Sequence, residues 1–69
     1  MDQTIKEALI ANAKGRIALA KANVQVYLSN SVGIGGHSDI MESIQEQLEV
    51  ISKYQGQIDV LHTDFYDQD

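Results

Sequence analysis

SNSVGIGGHSD, residues 29–39, lies near the midpoint of the chain and carries Gly33, Gly35 and Gly36, three of its five glycines. Its reading decides the fold, because the sequence on either side has helical periodicity. Asn30 and the glycines tolerate positive φ, so they can end one helix and let the chain reverse. The competing reading is a loop that cradles phosphate. That needs a preceding strand and a lysine next to a serine or threonine. Neither is present. The stretch reads as a turn over about 30–38, with Val32 and Ile34 tucked across its open end.

The sequence before the turn predicts a helix over about 3–29. Alanine is frequent and proline absent, which favours helix. Ile10, Ala13, Ile17, Ala20, Val24 and Tyr27 recur at steps of three and four and form one apolar stripe. Ile5 and Leu9 are expected to extend it toward the start. Large and small residues alternate along it, which suits close contact between helices. Ala8, Ala11, Gly15, Ala18, Ala22 and Val26 form a second stripe almost opposite. Two readings of that stripe stand side by side. Alanine there simply favours helix, or the back of this helix meets another protein surface at short distance. Leu19 and Val26 support the second, since both would otherwise face water.

After the turn, a helix is predicted over about 39–65. Ser38 or Asp39 is the expected cap, and Asp39 with Glu42 has capping-box spacing. Acids in the first turn also suit the helix dipole. The apolar positions are Ile40, Met41, Ile44, Leu48, Ile51, Tyr54, Ile58, Leu61 and Phe65. Ser43, Glu46, Lys53, Gln57 and Asp64 supply a polar opposite face, with Val50 and Val60 as apolar exceptions on it.

Two amphipathic helices of about 40 Å each, joined by a short flexible link, predict an all-α fold: an antiparallel two-helix hairpin forming one domain over 1–69. Folding at the glycines pairs positions whose numbers add to about 69. Ile17 then faces Ile51, and Lys21 faces Glu46 and Glu49. Gly15 comes level with Gly56. A helical glycine costs about 1 kcal/mol relative to alanine. Two at one level predict a close approach of the backbones, with Tyr54 packed over the gap. Two helices leave apolar edges uncovered, so the hairpin is expected to join a four-helix bundle of the coiled-coil kind or to pack on a partner.

Charge is unevenly divided. Residues 1–36 carry Lys6, Lys14, Arg16 and Lys21 against Asp2 and Glu7, a balance of +2; residues 37–69 carry Lys53 against eight acids, a balance of −7. The net charge of −5 argues against general nucleic-acid binding, which depends on phosphate neutralisation. The 43% hydrophobic content is too high for a typical disordered chain. No apolar run approaches the roughly 20 residues of a membrane span, and the N-terminal segment lacks the pattern of a secretory signal. Without cysteine, disulfides and thiolate metal sites are excluded. An intracellular protein is expected.

The residues carry little that points to catalysis. A hairpin sets His37 at the turn and His62 near the free ends, too far apart to share a metal in one chain. Glu42, Glu46 and Glu49 share a face, but paired carboxylates do acid–base work only in a cleft that perturbs them. Glu-x-x-His spacing, the mark of a di-iron bundle, is missing. No catalytic residue, metal ligand or cofactor is assigned. The candidate interface residues are Leu19, Val26, Val50, Val60, Phe65 and Tyr66, the last two as anchors in the acidic segment DFYDQD at 64–69.

The stretch NVQVYLSNSVGIGGHSDIMESIQEQLEVISKY, residues 23–54, resembles small uncharacterised proteins of tailed phages of marine bacteria, cyanobacteria especially. YLSNSVGIGGHSDI, residues 27–40, is its most recognisable part. The related chains favour proline near the turn, where this one has Ser31 and Ser38. The resemblance implies a phage source and a place in the host cytoplasm or the virion. It brings no activity with it. The expected role is a non-enzymatic structural or interaction module, such as a minor virion or assembly component. Its partner would be another copy of itself or another phage or host protein. The alternative is a small phage regulator that binds a host protein, with its acidic face mimicking nucleic acid.

Overall fold

The computed structural model describes residues 1–29 and 37–65, apart from the side chains of residues 37 and 38. Two helices account for nearly all of them: α1, Gln3–Ser29, and α2, His37–Asp64. The helices lie along one another as an antiparallel hairpin. Most of the expected turn, residues 30–36, lies outside the described residues, as does the placing of Val32 and Ile34.

α1 begins where Asp2 supplies a cap. Its carboxylate oxygen accepts hydrogen bonds from the amides of Thr4 at 2.8 Å and Ile5 at 3.2 Å. The Asp2 carbonyl takes the first helical bond, from the Lys6 amide at 3.0 Å. Two of the donors that a helix start leaves unpaired are thereby satisfied. α2 starts at His37, two residues before the expected boundary. Ser38 and Asp39 therefore lie inside its first turn. There Asp39 serves the helix dipole.

The buried seam follows a strict alternation. On α1 the residues that are buried or half-buried are Lys6, Ile10, Ala13, Ile17, Ala20, Val24 and Tyr27, in steps of four and three. On α2 they are Ile40, Ile44, Gln47, Ile51, Tyr54, Ile58 and Leu61, with Ser43 and Val50 along one edge. The centre is formed by Ala13, Ile17 and Ile58, with Ile51 and Tyr54 packed against them. Ile17 and Ile51 thus share one cluster, as expected.

Several expectations about the seam need correction. Ile5 and Leu9 do not extend the α1 stripe; they are 56% and 45% exposed, and Lys6 takes the seam position at 7%. The phase set by Ile10 to Tyr27 runs back four residues to Lys6, and its aliphatic stem serves as the apolar filler. No buried side-chain nitrogen or oxygen among the described residues lacks a partner, so the ammonium is not an orphaned charge. On α2, Met41 and Leu48 face water, while Ser43 and Val50 turn toward the seam.

The expected approach at the glycines is also absent. A β-carbon added to Gly15 or Gly56 would meet no atom within 4 Å. Close contact is made instead by Ala13 and Ala20, at 0% and 1% exposure. Small seam residues let the opposite helix come near, whereas both glycines are exposed. Tyr54 packs on the central cluster, not over a glycine gap.

One polar side-chain contact crosses between the helices near the turn end. The Asn23 side-chain amide donates to the Gln47 carbonyl oxygen at 3.2 Å. Opposed numbers here add to 70, one more than expected. Lys21 was expected to select the pairing through Glu46 and Glu49, but no such ion pair forms among the described residues. All three side chains are exposed. Exposed pairs contribute only about 0–1 kcal/mol, too little to hold long side chains in place. A half-buried amide at a seam position instead disfavours slipped registers, at some cost in stability. Gln47→Leu is expected to raise the urea midpoint, by about 1 kcal/mol of stability. It should also loosen register, seen as doubled amide resonances near Asn23 in NMR spectra.

Candidate interaction surface

The seam buries few large side chains. Ala13, Ile17, Ala20, Ile58 and Leu61 are the buried hydrophobic residues among those described, and no large side chain falls below 2% exposure. Much apolar surface remains outside. Leu19 is 63% exposed and Val26 54%, both on the side of α1 turned away from α2. They share that side with Ile5 and with the small residues Ala8, Ala11, Gly15, Ala18 and Ala22, all exposed. The central strip of this face, from Thr4 through Ala8, Ala11, Gly15, Ala18 and Ala22 to Val26, has no charged side chain; Arg16 lines a recess beside it with Leu19. α1 is thus apolar or small on two opposite sides, and α2 covers one of them.

α2 presents a different outside. Glu42, Glu46 and Glu49 are exposed along it, with Asp59 further on. The Lys53 ammonium stands 5.2 Å from the centre of the Tyr54 ring. Val60, 47% exposed, lies in an open recess between the helices with Leu9, Gly56, Gln57 and Leu61. Phe65, 43% exposed, follows the last residue of α2.

The six candidate residues therefore do not form one surface. Leu19 and Val26 lie together on the outward face of α1, and Val60 and Phe65 belong to the α2 end of the hairpin. Val50 is half-buried at the edge of the seam, which corrects its reading as an outward residue. Its neighbours one turn away, Gln47 and Tyr54, carry it inward. Tyr66 lies outside the described residues, as does the side chain of His37; His62 is exposed. Sequence reading missed Ile5 as part of the outward face because it was assigned to the seam. Its distance of fourteen residues from Leu19, four helical turns, was the available signal.

Chemistry finds little purchase on these surfaces. Among the described residues, no group of three or more His, Cys, Asp or Glu side chains could hold a metal ion. No described helix is long and apolar enough to cross a membrane. The recesses are open and lined mostly by aliphatic or amide side chains with one or two cations each. What the arrangement can do is bury apolar surface against another protein. No family model matches the chain, and no curated protein or solved structure is detectably similar to it.

Proposed function

We propose that the chain is a non-enzymatic structural and interaction module whose α1 helix is sandwiched between α2 and another protein surface. One observation carries this: the strip Thr4, Ala8, Ala11, Gly15, Ala18, Ala22 and Val26 on the outward side of α1 is free of charge, and Leu19 and Val26 on that side are exposed by more than half. Scattered apolar residues on a surface need no explanation, but an uncharged helix face several turns long does. The alternating seam between α1 and α2 is of the coiled-coil kind, and such helices add further neighbours by the same packing. In this reading α2, with its exposed acids, remains the solvated outer helix of the assembly.

With the resemblance to phage proteins, the role becomes that of a minor virion or assembly component, found in the virion or the host cytoplasm. The exposed carboxylates of Glu42, Glu46 and Glu49 favour a second reading, a small phage regulator that docks on a basic surface of a host protein. Mass spectrometry of purified particles separates the two.

Amide hydrogen exchange on the dilute chain tests the shared core of both readings. A helix covered on one side only is expected to open locally. The α1 amides should then gain at least tenfold protection at high concentration or with a partner. Full protection of α1 in the dilute, isolated chain, unchanged on concentration, would sink the proposal, because nothing would then be needed to cover the face.

A further inference from the structure

We infer that the flank of the hairpin carrying Lys14 and Lys21 is a groove for an acidic amphipathic helix of another protein. This flank is separate from the outward strip of α1. Lys14, Lys21 and Gln55 line one open recess, floored by Ile17, Ala18 and Ile58. Steps of seven residues, two helical turns, keep a side chain on the same side of its helix. From Lys21 such a step leads to Leu28, and from Gln55 it leads back to Leu48 and then Met41. Lys14 is then level with Gln55, Lys21 with Leu48 and Leu28 with Met41. Each pair of numbers adds to 69, within one of the Asn23–Gln47 pair. The three rungs span about 21 Å at 1.5 Å per residue. Leu28, Met41 and Leu48 are 56%, 64% and 50% exposed, so the turn end of the flank is apolar.

Charge identifies the occupant. Along these rungs the flank holds two cations and no acid. Both lysines are exposed, and neither has an acid three or four residues away on α1. The acids of α2 over the same length, Glu42, Glu46 and Glu49, are exposed on its outward side. The chain as a whole carries −5, so an acidic partner is repelled from most of its surface and attracted here. Shape gives the form of that partner. A groove between two packed helices takes a third, whose apolar face covers Met41 and Leu48. Carboxylates seven residues apart on it stand about 10 Å apart, the spacing of Lys14 and Lys21. A second copy of this chain fits less well. Its acidic side, formed by Glu42, Glu46, Glu49 and Lys53, brings no apolar side chain to cover Met41 and Leu48.

The test uses the full chain and a labelled synthetic peptide of about 20 residues, long enough to hold helix in water. Leucines form one side of the peptide and glutamates border them. Fluorescence anisotropy is expected to show saturable binding at micromolar concentration. The same peptide with lysine for every glutamate should not bind. Lys14→Glu with Lys21→Glu should raise the dissociation constant at least tenfold, as should Met41→Ser with Leu48→Ser, with helical circular dichroism unchanged in both. Arg16→Glu and Leu19→Ser, on the outward side of α1, should leave affinity within about twofold. No saturable binding at millimolar peptide overturns the inference, as does equal binding of the basic peptide or a loss as large from Arg16→Glu. Self-association of the chain that Lys21→Glu abolishes overturns it too, since a second copy then fills the groove. The exchange test of α1 concerns the other face, and its result is independent of these.

Discussion

Ile17→Ala is expected to remove most of the chain's stability at 25 °C, while Leu19→Ala, two residues away, leaves the isolated hairpin almost unchanged. The residues have similar hydropathy but opposite surroundings. Ile17 is 8% exposed among Ala13, Ile58, Ile51 and Tyr54, whereas Leu19 is 63% exposed. Removing the buried Ile side chain costs its transfer free energy plus that of the space left behind, about 2–5 kcal/mol. Two helices can close part of that space, and alanine is the better helix former by a few tenths of a kcal/mol. The lower half of the range, about 2–3 kcal/mol, is the expected loss. A small single core rarely supplies more than about 3–5 kcal/mol in total, so the loss takes most of the stability. Leu19→Ala should stay within about 0.5 kcal/mol, as surface changes do. Urea titration followed by circular dichroism, at a concentration where the chain is monomeric, measures both. Equal midpoints for the two variants would mean that the seam is not where the hairpin holds together.

The hairpin itself was legible in the sequence because two independent signals agree. Helical periodicity fills both arms, and the glycines fall between them. The phase of each seam was harder to read. On α2, one phase takes Ile40, Ile44, Gln47, Ile51, Tyr54, Ile58 and Leu61. The other takes Met41, Ile44, Leu48, Ile51, Gln55, Ile58 and His62. Local hydropathy near the turn favours Met41 and Leu48, but over the whole helix that phase buries two polar residues and the first buries one. The folded chain takes the first and gives Gln47 a partner in Asn23. Lys6 was hidden for a related reason. Hydropathy scores its ammonium, while the seam uses its stem.

The candidate surface was legible where a residue was too large for its place. Leu19 and Val26 break an otherwise small, uncharged face, and no helix propensity explains them. Val50 looked equivalent on a helical wheel, yet it lies one turn from both Gln47 and Tyr54 and follows them inward. Which other surface covers α1 is a property of two molecules.

Gly15→Ala combined with Gly56→Ala is expected to raise stability by about 2 kcal/mol, because each glycine costs its helix about 1 kcal/mol and neither creates a contact in the hairpin. Both are exposed within regular helix, with open space where a β-carbon would stand. Alanine narrows the unfolded ensemble without straining the folded one. The sites lie on different helices and share no close neighbour, so their effects should add. At about 4–8 °C per kcal/mol for a chain of this size, the double variant should melt about 10 °C higher. The measurement belongs at low concentration, where any contact at Gly15 between copies is dissociated. Gly56→Ala is free of that complication and should supply about half the gain alone. A drop in melting temperature for either single variant would reverse the conclusion. It would mean that the backbones do approach at that level, and that the glycines, not Ala13 and Ala20, set the distance between the helices.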